Sequence, residues 1–201
     1  MFDKTVQSIL KPAFSATAQV VVKFGISANN VSIVGVFIGF FAAFLIANNY
    51  FLWAAVLIVL SRIFDGLDGA VARATQATDQ GGFLDISLDF LFYAAIPLAF
   101  AFANPVVNAL PAATLLASFM GTGSTFLAFA AIAEKRGMHS SSLPDKSFYF
   151  LGGLTEATET IAVFIAMCVW PAYFEVLAYG FAALCCITIG MRIYWGYKAF
   201  A

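Results

Sequence analysis

Hydrophobic and polar positions alternate along this chain in long blocks. Apolar runs extend over about 31–47, 51–73, 82–103, 110–133, 147–169 and 173–193, separated by short polar connections such as Asn48-Asn49, Asn104-Pro105 and Trp170-Pro171. A helix of about 20 residues rises about 30 Å, enough to cross a bilayer's hydrocarbon core. The pattern predicts six transmembrane helices. Ahead of them, Phe2, Val6, Ile9 and Leu10 recur at helical spacing among Asp3, Lys4, Gln7 and Lys11. That is the pattern of an amphipathic helix lying in the membrane interface, expected to break near Pro12. The predicted fold is an all-α polytopic membrane protein, one domain over 1–201, with an interfacial segment at 1–25 and a six-helix core at 26–201.

Composition agrees with this pattern. The chain is 62% hydrophobic and 10% charged, where soluble domains carry about 25% charged residues. A net charge of −1 and the lack of basic clusters exclude nucleic-acid binding. Cys168, Cys185 and Cys186 sit in apolar runs with no CxxC spacing and read as buried thiols. Residues 1–23 do not read as a signal peptide. Lysines and arginines lie in the N-terminal segment, at 73–81, at 134–146 and near the C-terminus, and the connections at 48–50, 104–109 and 170–172 have none. The positive-inside rule places the basic side in the cytoplasm. Arg62 is the exception, one turn before Asp65 and expected to face the same polar cavity.

Charge inside the apolar blocks is concentrated at 62–89. Asp65 and Asp68 are three apart and Asp85 and Asp89 four apart, so each pair shares a helical face, and the two helices are expected to be antiparallel neighbours. Four like charges cannot all stay ionised in a low-dielectric site; they share protons or bind cations. Mg2+ and Mn2+ favour such oxygen ligands, and two close metals stabilise both oxygens of a phosphoryl displacement. Arg73 offers a guanidinium to phosphate oxygens, and Gly66, Gly69 and Gly82 let a ligand approach the backbone. From these residues alone, phosphoryl transfer stands beside cation or proton transport, which also uses intramembrane carboxylates.

The intervals are more specific. Asp65, Asp68-Gly69, Ala72-Arg73, Gly82, Asp85 and Asp89 reproduce Asp, two residues, Asp-Gly, two residues, Ala-Arg, eight residues, Gly, three residues, Asp, three residues, Asp. In this the chain resembles the class I, integral-membrane CDP-alcohol phosphatidyltransferases. The resemblance implies transfer of a phosphatidyl group from CDP-diacylglycerol to an alcohol, with release of CMP. It implies two divalent cations, Mg2+ or Mn2+, held by Asp65, Asp68, Asp85 and Asp89, with Asp89 also the general base. Gly69 and Arg73 would contact the cytidine diphosphate, beside Gly66 and Ala72. A homodimer is implied too, in the inner membrane for a bacterial chain, with the site facing the cytoplasm. The stretch from Ser27 to Ser32 is similar to the family's Thr-Pro-Asn-x-x-Thr, with Ala28 in place of Pro. Asn29 and Ser32 are candidate nucleotide contacts, alongside simple helix capping by Ser27 or Asn29.

The acceptor stays open between two sets of residues. Lys135, Arg136, His139 and Lys146 form a basic loop suited to a phosphorylated polyol such as glycerol 3-phosphate or an inositol phosphate, or simply a positive-inside loop. Glu156 and Glu159, among Thr155, Thr158 and Thr160, suit serine, choline-like or polyol hydroxyls; phosphatidylglycerol is a further acceptor for the same chemistry. Glu156 would alternatively pair with Arg62, Arg136 or Arg192, and Arg62 is itself an acceptor-site candidate. Gly121 and Gly123 are expected at close helix contacts.

Overall fold

The computed structural model describes residues 3–138 and 153–201. Among them are seven α-helices and one short 3-10 turn: α1 (Asp3–Lys23), α2 (Ala28–Ala47), α3 (Phe51–Ala74), α4 (Asp79–Ala103), α5 (Pro105–Lys135), α6 (Ala157–Val169), the turn Pro171–Tyr173, and α7 (Phe174–Phe200). The boundaries follow local chemistry. Ser27 Oγ accepts from the Asn30 amide (3.3 Å) and Thr78 Oγ1 from the Gly81 amide (3.1 Å), capping α2 and α4. Asn104 caps α5, whose first residue is Pro105, where its missing N–H leaves no helical bond unmade. Asn49 ends α2 at φ 66°, a left-handed conformation that asparagine tolerates.

The expectation of six transmembrane helices is corrected to four. Among the described residues, the helices long and apolar enough to cross a membrane are Ala28–Ala47, Asp79–Ala103, Pro105–Lys135 and Pro171–Phe200. The other two fail for different reasons. α3 is 24 residues long, but its second half carries Arg62, Asp65, Asp68 and Arg73. α6 begins only at Ala157; its 13 residues rise about 20 Å, short of the roughly 30 Å needed. The interfacial helix is also longer than its sequence pattern suggested, running through Pro12 to Lys23 without a break.

α2 is the packing hub of the catalytic half. It lies against both α3 and α4, while α4 packs on α5 and α5 on α7. α3 and α4 meet through side chains, with Arg62 of α3 on Asp89 and on the Phe92 ring of α4. α2 braces both, and their carboxylates meet across the space between them. Small residues permit the tight contacts. A Cβ on Gly35 would lie 2.9 Å from Phe64 Cβ, and one on Gly39 would lie 2.5 Å from the Phe92 ring. Gly121 faces Ile189 of α7 and Gly123 faces Phe90 of α4, as their spacing suggested.

The main core joins α2 to α7 around buried Ile58, Phe92, Phe100, Leu115, Phe164 and Phe174. A second, smaller cluster fixes α1: Phe14, Ala18, Val21 and Val22 pack on Val31, Leu67, Ala70 and Val71. Burying side chains of this size stabilises by about 1.5–3 kcal/mol each relative to water, so α1 is docked on α3 as well as apolar enough for the interface. Cys168 and Cys185 are buried as expected, whereas Cys186, one position on along α7, is exposed.

Candidate active site

The helical repeat of α3 sorts its second half. Leu67, Ala70 and Val71 turn toward α1, and Gly66 receives the Phe14 ring, which a Cβ would meet at 2.6 Å. Asp65 and Asp68 project instead into a small polar cavity that they share with Ser32 and Gly35 of α2 and with Asp85 and Asp89 of α4. One carboxylate oxygen from each of Asp65, Asp68 and Asp85 lies within 4.8 Å of the others. Oxygens bound at about 2.0–2.6 Å on opposite sides of an ion stand about 4–5 Å apart, so this donor set fits a hard divalent cation. Asp68 is almost fully buried and is fixed by α2, where the Ser32 hydroxyl donates to its Oδ2 at 2.5 Å.

Asp89 borders the same cavity and is tied to α3 by Arg62. Its Oδ1 accepts from Arg62 Nη1 at 2.7 Å, and the same nitrogen lies 3.2 Å from Asp65 Oδ1. Arg62 Nη2 reaches Ser61 Oγ at 3.3 Å, and Ser61 donates to the Gly35 carbonyl at 2.8 Å. The guanidinium carbon lies 4.0 Å from the centre of the buried Phe92 ring, within range of a cation–π attraction. The expectation that Arg62 faces the acidic cavity holds.

A second, larger cavity of about 560 Å³ opens between α4, α5, α6 and α7 and shares Asp89 with the first. Its walls are largely apolar, with rings from Phe90, Tyr93, Phe119 and Phe126 and polar groups from Thr155, Glu156 and Arg192. Arg192 Nη1 donates to the Thr122 carbonyl at 2.9 Å, while its Nε is buried with no hydrogen-bond partner among the described residues. Thr188 braces the wall: its Oγ1 accepts from the amides of Leu154 (3.2 Å) and Thr155 (3.3 Å).

The sequence-derived candidates divide accordingly. Asp65, Asp68, Asp85, Asp89 and Arg62 come together. Arg73 is exposed and folds back across Gly69, where a Cβ would lie 3.2 Å from its Nη1; half-buried Ala72 is on the same turn of α3. Asn29 sits beside Gly81, 3.2 Å from where its Cβ would be, and Ser32 points at Asp68. Glu156 lines the large cavity, and Glu159 accepts from the Glu156 amide (3.2 Å), closing the first turn of α6. Lys135 and Arg136 end α5 on the surface, and Arg136 donates to the Phe200 carbonyl at 2.6 Å. His139 and Lys146 lie outside the described residues. The sequence offered Arg192 as an alternative partner of Glu156, not as a residue of the acceptor cavity. The missed signal was a cation within an apolar helix, a placement that usually means a cavity-facing role.

An integral membrane protein is thus defined, with an acidic pocket whose donor set fits a divalent cation, opening beside a larger, mostly apolar cavity. The CDP-alcohol phosphatidyltransferase family model matches residues 26–191. The chain is 48% identical over 197 residues to the inner membrane protein YnjF of Escherichia coli K12, covering 98% of this chain and 96% of that one. It is 33% identical over 97 residues to the archaetidylinositol phosphate synthase of Pyrococcus horikoshii, covering 48% and 52%. Its fold is shared with Mycobacterium tuberculosis phosphatidylinositol phosphate synthase. The structure of that protein with CDP-DAG bound superposes with a TM-score of 0.68 at 20% identity, covering 92% of this chain and 93% of that one. The complex with manganese and citrate gives 0.69 at 20% identity, over 92% and 88%. The chain belongs to the CDP-alcohol phosphatidyltransferase family and is a membrane-embedded transferase of phospholipid synthesis.

Proposed function

We propose that this enzyme passes a phosphatidyl group from CDP-diacylglycerol to a hydroxyl acceptor that enters the large cavity, releasing CMP. The observation that carries the reading is the shared wall: Asp89 borders both the acidic pocket and the 560 Å³ cavity. A base placed there reaches an acceptor on one side and a phosphoryl group on the other. Asp65, Asp68 and Asp85 would hold a divalent cation, Mg2+ or Mn2+, which supplies charge neutralisation to the diphosphate when bound. The manganese in the mycobacterial synthase supports that assignment. A second cation, as the resemblance implies, would have to share Asp65 and Asp89 with the Arg62 guanidinium.

In this reading Arg73, lying loose over Gly69 and Ala72, turns onto the diphosphate, and Gly66 and Asn29 border the nucleotide's approach. Asp89 takes the acceptor's hydroxyl proton. The acceptor oxygen then forms its bond to the lipid-bearing phosphorus as the bond from that phosphorus to the CMP oxygen breaks, and CMP leaves with the electron pair. With Oδ1 of Asp89 held by Arg62, the proton goes to Oδ2. Orienting the hydroxyl beside phosphorus lowers the barrier chiefly through proximity and charge placement.

The polar groups of the large cavity support a phosphorylated polyol as acceptor. Arg192 is a cation aimed into a mostly apolar cavity, suited to a phosphate, and Glu156 and Thr155 suit hydroxyls. Lys135 and Arg136 contribute less to this reading, since Arg136 is occupied at the C-terminal end of α7. The site faces the cytoplasm, the side on which the basic residues accumulate, and a bacterial chain would lie in the inner membrane. The test is CMP release from CDP-diacylglycerol and Mn2+ or Mg2+ across inositol 1-phosphate, glycerol 3-phosphate, inositol, serine and phosphatidylglycerol. Release is expected with a phosphorylated polyol. Release with serine or phosphatidylglycerol alone overturns the acceptor class, and none with any acceptor overturns the reaction for this panel.

A further inference from the structure

We propose that Thr188 is a positioning residue for the acceptor: its hydroxyl clamps the non-helical run 153–156 onto α7 and so holds Thr155 and Glu156 in the wall of the large cavity that Arg192 also lines. The proposal rests on the reading of that cavity as the acceptor site, and adds the residue that shapes it.

Gly153, Leu154, Thr155 and Glu156 precede the first turn of α6 and lie outside its helical hydrogen bonding. A backbone amide held away from water needs an acceptor, and Thr188 of α7 supplies one. Thr188 is fully buried. Its Oγ1 accepts from the Leu154 amide at 3.2 Å, the Thr155 amide at 3.3 Å and the Thr155 hydroxyl at 3.0 Å. Its own proton goes to the Leu184 carbonyl at 3.2 Å. One hydroxyl thus fastens a segment 33 and 34 positions away.

The run is pressed close to α7. A Cβ on Gly153 would stand 2.3 Å from Thr188 Cγ2 and 3.4 Å from Arg192 Nη2. Thr188 and Arg192 are four apart on α7, one above the other on the same face. The clamp and the cation of the cavity therefore address the same segment, and Arg192 is itself held by the Thr122 carbonyl of α5.

Beyond the clamp, Glu156 caps α6: its side chain accepts from the Glu159 amide, while the Glu159 side chain accepts from the Glu156 amide. Phe164, Met167 and Cys168 anchor the rest of α6 in the main core. Removing the Thr188 hydroxyl loosens the run and leaves that anchorage in place. The acidic pocket is built from α2, α3 and α4 and is untouched. Acceptor binding must then order Thr155 and Glu156 against Arg192, a cost that falls on affinity for the acceptor and not for the CDP-lipid.

The test compares Thr188→Val, which keeps the shape and loses the hydroxyl, with Thr188→Ser, which keeps the hydroxyl, in the full chain in detergent. CMP release from CDP-diacylglycerol with Mn2+ is titrated with inositol 1-phosphate and, separately, with glycerol 3-phosphate. Thr188→Val is expected to raise the acceptor KM about tenfold, the effect of roughly one hydrogen bond left unmade, with the CDP-diacylglycerol KM unchanged. Thr188→Ser should recover most of the wild-type value. Hydrogen–deuterium exchange of the 153–156 amides should quicken in the valine variant and not in the serine variant. A wild-type acceptor KM in Thr188→Val, or equal shifts in both KM values, overturns the proposal, and so does a lower thermal midpoint with neither KM moved. If Thr188→Val does not fold, Gly153→Ala decides, since its Cβ pushes the run off Thr188 and should give the same selective rise. No CMP release by wild type with either acceptor overturns the acceptor reading and this proposal with it, whereas release with an unmoved acceptor KM in the variants overturns this proposal alone.

Discussion

Replacing Ser32 by alanine tests whether α2 orients the metal ligands. Ser32 was a candidate nucleotide contact in the sequence, yet its hydroxyl donates to Asp68 Oδ2 at 2.5 Å. Asp68 is 6% exposed, so water does not readily replace the lost donor. A hydrogen bond to a charged group contributes about 1.5–3 kcal/mol. At 1.4 kcal/mol per decade this is about a 10- to 100-fold loss of Mn2+ affinity, the range in which outer-sphere partners of metal ligands fall. The competing effect is small: freeing a lone pair on Asp68 adds a donor the ion does not lack, while the loss of orientation acts on the most buried ligand of the trio. The assay is Mn2+ binding without substrate, with thermal stability in detergent as a check on folding, and Ser32→Thr should recover most of the affinity. An unchanged or tighter Mn2+ dissociation constant refutes the reasoning. A raised KM for the CDP-lipid with unchanged Mn2+ binding would instead assign Ser32 to the nucleotide.

Two further outcomes follow from the packing and the large cavity. Arg192→Met should raise the acceptor KM by about 10-fold or more, the value of a charge-assisted hydrogen bond, with the CDP-lipid KM unchanged; equal effects on both would remove Arg192 from the acceptor site. Gly39→Ala should lower the thermal midpoint, because overpacking against Phe92 and Ser61 costs about 1–3 kcal/mol and outweighs the helix-propensity gain of about 1 kcal/mol. Gly190→Ala, with nothing within 4 Å of its added Cβ, should gain that propensity without the clash, and opposite signs in the two melting curves are the check.

Some of this was determined along single helices. A helix fixes the angle between residues three or four apart, so Asp65 with Asp68, and Asp85 with Asp89, share faces whatever the rest of the chain does. The caps at Ser27 and Thr78 and the family signature are local in the same sense. Length and charge were less decisive: α3 has the length of a span but carries too much charge, and the apolar stretch before Val169 is helical only from Ala157 among the described residues.

What lies between helices was decided by tertiary packing, because no spacing in the chain sets how one helix turns against another. α2 braces α3 and α4 apart, and its Gly39 admits the Phe92 ring on which Arg62 rests. That placement couples Arg62 to Asp89 across 27 positions. The pairing of α5 with α7 likewise brings Arg192 to the Thr122 carbonyl, 70 positions away, and into the wall of the large cavity. The carboxylates could be named from the sequence by their spacing; which of them face one another and which meets Arg62 required the packed helices.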